Sequence, residues 1–107
     1  MKNRELLLKA IDHYEVYISQ GRAVLKALVA VADENNIATI SITDLSKLSK
    51  VSRQGIYNTM LYLVKDKLIE KRPSSRLTTF VLNPEELEKI IKYHEKLMQA
   101  KSFLKKS

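Results

Sequence analysis

Apolar residues recur along this chain with helical spacing at both ends and with strand-like spacing in the middle. Over residues 3–20, Leu7, Ile11, Tyr14 and Ile18 lie four, three and four positions apart, which predicts an amphipathic helix that Gly21 ends or bends. Residues 22–34 read as a second helix, apolar nearly all round, the pattern of a buried centre. Asn35 and Asn36 close it, because Asn tolerates the left-handed conformation. The β-branched run 37–42 predicts a short strand, and Thr43 can cap a short helix over 44–48 with Asp44 in its first turn. A tight turn at 49–50 leads to Ser52, which caps a helix running to about Lys67. Residues 68–72 and 77–82 read as strands joined by a turn at 73–76 that Pro73 can start. Asn83 as cap, Pro84 in the first helical position and Glu86 as partner of a capping box start a last helix that runs to about Lys105.

The helix that begins at Ser52 raises a question of orientation. At 100° per residue, Ile56, Met60, Leu63 and Val64 gather on the side that faces the core. Gln54, Asn58, Leu61 and Lys65 lie opposite, Tyr57 and Tyr62 flank them, and Arg53 splays from the first turn. Asn and Gln are the side chains that pair bidentately with adenine in the DNA major groove, and Arg does the same with guanine. One helical turn separates Gln54 from Asn58, so both can reach base edges. The free backbone N–H groups and positive dipole end nearby suit a phosphate, with Lys50 and Ser52 placed to add contacts. The plainer alternative is a solvated polar face. Tyr62 can hydrogen-bond a phosphate. Leu61 fits a thymine methyl, a terminal helix or a second subunit equally well.

Residues 42–84, ITDLSKLSKVSRQGIYNTMLYLVKDKLIEKRPSSRLTTFVLNP, resemble the winged helix-turn-helix domain of small bacterial, phage and plasmid regulators. With the second helix included, the resemblance covers roughly 60 of the 107 residues. The flanking helices resemble the dimerising helices of MarR-like and PadR-like regulators. The implied fold is mainly α with a small β-hairpin. A winged core (22–82) lies between an N-terminal helix (1–20) and a C-terminal helix (84–107), all in a single domain over 1–107. The implied function is sequence-specific binding of double-stranded DNA, most simply as a transcriptional regulator. An accessory role in plasmid or phage DNA processing uses the same surfaces. Lys50 departs from the pattern, standing where many members have Gly, and a left-handed Lys costs about 1 kcal/mol.

Charge strengthens this picture. The formal net charge is +7, and residues 51–76 hold six basic and two acidic groups while residues 1–20 balance to zero. Such a basic middle segment suits an anionic partner, although a solvated Lys-rich surface also keeps a protein soluble. Within it, Lys71, Arg72, Ser74, Ser75 and Arg76 form the hairpin tip, a candidate wing that can follow the backbone or insert an Arg into the minor groove.

Along the last helix, Leu87, Ile90, Ile91, His94, Leu97, Met98 and Leu104 make a broad apolar stripe, matched by Leu7 and Ile11 on the first. The expectation is a homodimer built on these helices. The alternative is packing within one chain.

Other classes find little support. At 45% hydrophobic and 29% charged the chain is expected to fold rather than remain disordered. With no Cys there is no disulfide framework and no Cys-based metal site, which fits a cytoplasmic protein. Lys9 and Asp12 interrupt the first apolar stretch too early for a signal peptide, and residues 23–32 are too short for a membrane span. His13 and His94 are the only His, and no Gly-rich phosphate loop or HExxH is present, so neither an enzyme nor a cofactor, metal or small-molecule site is expected. A protein-interaction module built on Tyr57, Leu61 and Tyr62 is the alternative from a different class.

Overall fold

The structure, a computed structural model, describes residues 1, 3–73 and 77–106, the side chains of 73 and 103–106 excepted. Its described elements are α1 (Arg4–Asp12), α2 (Ser19–Val31), β1 (Ile37–Ile40), α3 (Ile42–Ser49), α4 (Arg53–Lys65), β2 (Ile69–Pro73), β3 (Thr78–Leu82) and α5 (Pro84–Lys106). The protein is mainly helical, with one antiparallel sheet in the order β1-β3-β2.

The expected first helix is two pieces. α1 stops at Asp12, the chain turns through 13–18, and α2 begins at Ser19 rather than Arg22. Tertiary contacts outweigh the helical period here. Tyr14 meets Tyr93 edge-on with centroids 5.1 Å apart, and the Tyr17 hydroxyl donates to Asp66 Oδ2 over 2.6 Å. Both rings would be carried away if the helix continued. The broken end is held by Arg22 Nη1 donating to the Asp12 carbonyl (3.1 Å) and by a Lys26–Asp12 ion pair of 2.7 Å.

α2 is the buried centre. Val24, Leu25, Ala27, Leu28 and Val29 are buried, and the helix packs against α1, α3, α4 and β1. Gly21 neither ends nor bends it but lies in its first turn, beneath Tyr62. A Cβ at Gly21 would overlap the Tyr62 hydroxyl and come within 2.9 Å of Cζ. Gly55, on α4, is equally confined, with Val51 Cγ1 2.7 Å from where its Cβ would be. Both glycines of the chain thus lie at the α2–α4 crossing, where only a missing side chain permits this approach.

Ser41, not Thr43, caps α3, accepting from the Asp44 N–H over 3.0 Å, so the helix starts two residues early and β1 ends at Ile40. Lys50 is left-handed, with φ 60°. Around it the turn is tied by Ser46 Oγ to the Val51 carbonyl (2.6 Å) and by Ser49 Oγ to the Leu45 carbonyl (2.7 Å). Ser52 then caps α4, accepting from the Gly55 N–H at 3.1 Å. At α5, Asn83 Oδ1 accepts from the Glu85 N–H (3.0 Å), but no capping box forms. The Asn83 N–H is already given to the Leu68 carbonyl, and Glu86 instead accepts from Lys89 Nζ at 3.0 Å.

α5 closes the core with Leu87, Ile90, Ile91 and His94, all buried and packed toward Leu7, Ala10 and Ile11 of α1. Each such Leu or Ile contributes about 1.5–3 kcal/mol on burial. No helix among the described residues is long and apolar enough to cross a membrane.

Candidate nucleic-acid interface

α4 divides lengthwise. Gly55, Ile56, Thr59, Met60 and Leu63 are buried, while Arg53, Gln54, Tyr57, Asn58, Leu61, Val64 and Lys65 are exposed. Val64, expected in the core, is 44% exposed, because at the edge of the helix's core arc no described residue covers it. Tyr62 moves the other way. Its ring lies 5.2 Å from that of Tyr17 and its hydroxyl sits against Gly21, so it belongs to the α2–α4 packing and not to the outward face.

On the outward face the amides of Gln54 and Asn58 are joined, Gln54 Nε2 donating to Asn58 Oδ1 over 3.1 Å. This bond spans one helical turn and links the two amides. The Arg53 guanidinium donates to Thr43 Oγ1, which anchors it across the α3–α4 turn. Ser52 is exposed beside it, its oxygen already committed to the cap.

The hairpin strand β2 supplies the other wall. Lys71 pairs across the sheet with buried Phe80, so it points to the core side of an edge strand, a position that also discourages pairing with another chain. Its ammonium reaches back to α4 and stands 5.9 Å from the Tyr57 ring centroid. Arg72 points away and meets Glu70 at 3.4 Å, with both side chains mostly solvated, a pair of small energetic weight. Ser74, Ser75 and Arg76 lie outside the described residues. Gln54, Tyr57, Asn58, Leu61, Val64 and Lys71 line a shallow recess of about 420 Å³ between helix and strand.

On α3, α4 and β2 and in the turns that follow the two helices, none of Lys47, Lys50, Arg53, Lys65, Lys67 or Lys71 makes an ion pair among the described residues. Lys47 and Lys67 were not singled out from the sequence. Lys67 is displayed by its own left-handed backbone, φ 63°, just past the end of α4, a placement that residue type alone does not signal. Such a surface attracts a polyanion.

The opposite flank is aromatic. Tyr14, Tyr17, Tyr62 and Tyr93 form a chain of ring contacts. Burial raises the Tyr17 hydroxyl well above the ordinary phenol value, helped by its hydrogen bond to the Asp66 carboxylate, and Tyr14 is raised by burial first and Asp66 second. The stripe expected to dimerise is largely covered within one chain. Leu7, Ile11, Leu87, Ile90, Ile91 and His94 are buried, His94 stacking on His13 with ring centroids 5.4 Å apart. Leu97 and Met98 are half-buried, and the Leu104 side chain lies outside the described residues.

No family model and no curated relative matches the chain. A solved structure described as that of a protein with unknown function from Listeria innocua Clip11262 is similar in fold. It is 19% identical, with a TM-score of 0.50, over 94% of this chain and 78% of that one. At that identity the likeness concerns the fold alone.

Proposed function

We propose that this chain is a winged helix-turn-helix protein that binds double-stranded DNA, α4 entering the major groove and the β2–β3 hairpin acting as the wing. The observation that carries the reading is the outward face of α4. It holds a hydrogen-bonded pair of amides, Gln54 and Asn58, the side-chain type that pairs with adenine, and the cations of α4, with Lys50 and Lys71, make no ion pair among the described residues. An α-helix fits the major groove, and α4 is about 20 Å long at 1.5 Å per residue, enough to cross it. Lys50, Ser52 and Lys71 are exposed and are the phosphate contacts of this reading. In this reading the biological role is transcriptional regulation. An accessory role in plasmid or phage DNA processing uses the same face.

One observation favours a second reading, a protein-docking module. Leu61, Tyr57 and Val64 are exposed together, and contiguous exposed apolar area is often an interaction site.

Enrichment of the purified chain against a random duplex pool, at low and near-physiological salt, separates the two. Expected is a recovered motif that survives the higher salt. Asn58→Ala should relax preference at one position, at a cost of about 1–3 kcal/mol. A uniform loss over all sequences would contradict base readout, and no binding at either salt would leave the docking module.

A further inference from the structure

The apolar patch on α4 has no use in phosphate attraction, yet it sits at the centre of the proposed groove face. Leu61 is 74% exposed and lies between Asn58 and Lys65 along the axis of the outward face, with Tyr57 and Val64 beside it. Resting on the DNA-binding reading, we infer that the face is built for A·T base pairs, with Asn58 reading adenine and Leu61 packing on thymine methyl groups.

Both halves of the patch select the same pair. The Gln54 amide occupies one lone pair of Asn58 Oδ1. What remains is the second lone pair and the two Nδ2 hydrogens, an acceptor beside a donor. Adenine presents the complement, the N6 amino group beside the N7 acceptor, whereas guanine presents two acceptors and leaves the second Oδ1 lone pair unmet. Next to Asn58, Leu61 offers only apolar surface. In the major groove thymine alone carries a methyl that Leu61 can cover, whereas cytosine has only a hydrogen on C5 and leaves that apolar contact unmade. Asn58 and Leu61 are three residues apart, about 4.5 Å along the helix axis, close to one base-pair step.

The surroundings decide against an apolar protein as occupant. Among the described residues no carboxylate lines the recess, Lys71 forms one wall, and Arg53 and Lys65 are exposed on the same helix. A ring of one sign around a small apolar centre complements a polyanion that carries methyl groups.

The test compares three pools of short duplexes with identical flanks by fluorescence anisotropy at near-physiological salt. The central base pairs are random A·T in one and random G·C in the second. The third repeats the A·T pool with every thymine replaced by deoxyuridine, which removes the methyl and keeps the hydrogen-bonding edges. Expected is tighter binding of the A·T pool than the G·C pool by about tenfold or more. Deoxyuridine should weaken binding by roughly fourfold for each methyl contacted. Leu61→Ala, at an exposed position where the fold is indifferent, should bind the thymine and uracil pools equally while still preferring both to G·C. Equal binding of thymine and uracil by the unaltered chain overturns the inference, as does an undiminished methyl effect in Leu61→Ala or a preference for G·C. Absence of binding to all three pools overturns the DNA reading and this inference with it, a result distinct from binding without discrimination.

Discussion

On α5, Leu87, Ile90 and Ile91 are buried at 6% exposure or less, whereas on α4 Leu61 stands 74% exposed and Tyr57 and Val64 nearly half so. Both helices are amphipathic in sequence. The α5 stripe meets α1 of its own chain, and six of the residues expected to pair two subunits are thereby covered. The outward apolar residues of α4 are packed into no hydrophobic cluster among the described residues. An apolar stripe states which side must be covered but not by what. A patch of apolar residues exposed together on the polar side, here Tyr57, Leu61 and Val64, is the more informative observation, because burial does not account for it.

The largest effect that follows from this contrast is at the packed helix. Ile90→Ala should lower unfolding free energy by about 2–5 kcal/mol in urea titration, because the site is closed on all sides. A loss near zero would mean that α5 is loosely attached and its stripe is free for a second subunit after all.

A smaller effect is expected at the α2–α4 crossing. Gly21→Ala gains up to about 1 kcal/mol of helix propensity but overpacks Tyr62 by about 1–3 kcal/mol, for a net loss of about 1 kcal/mol. Tyr62→Phe in the same chain removes the overlapping hydroxyl and should restore most of it. An additive double mutant would show that the two residues do not share this contact.

Tyr17→Phe should cost about 1 kcal/mol at neutral pH by removing the bond to Asp66. Because burial raises the Tyr17 hydroxyl in the folded state, its stabilising contribution is complete below the unfolded phenol value near 10. It declines as pH rises beyond that. The gap between the two chains should therefore close in alkali, and a gap that widened there would contradict the assignment.

Leu61→Ser should shift stability by less than about 0.5 kcal/mol, the smallest change of the series. A large destabilisation would show that Leu61 is covered in solution.

Much of the element order was readable beforehand, because caps and β-branched runs are local signals. Ser52 and Asn83 cap the helices they were expected to cap. The break at 13–18 was not readable, since Tyr14 and Ile18 fit the helical period and the contacts that pull the tyrosines away lie far along the chain at Tyr93 and Asp66. Tyr62 and Val64 were misplaced for a related reason. Both lie on the flanks of α4, where a wheel cannot say which side a neighbour occupies. The neighbour is α2, whose close approach depends on Gly21 and Gly55. Gln54, Asn58 and Leu61 were legible as an outward group, but the amide bond and the recess shared with Lys71 required the fold.

The most direct test of the central claim is to map amide chemical-shift changes on the isotope-labelled chain as an A·T-rich duplex is added. The account predicts changes concentrated over residues 50–65 and at Lys71 and Arg72, with α1 and α5 unmoved. Changes centred on α5, or none at any duplex concentration, would contradict it.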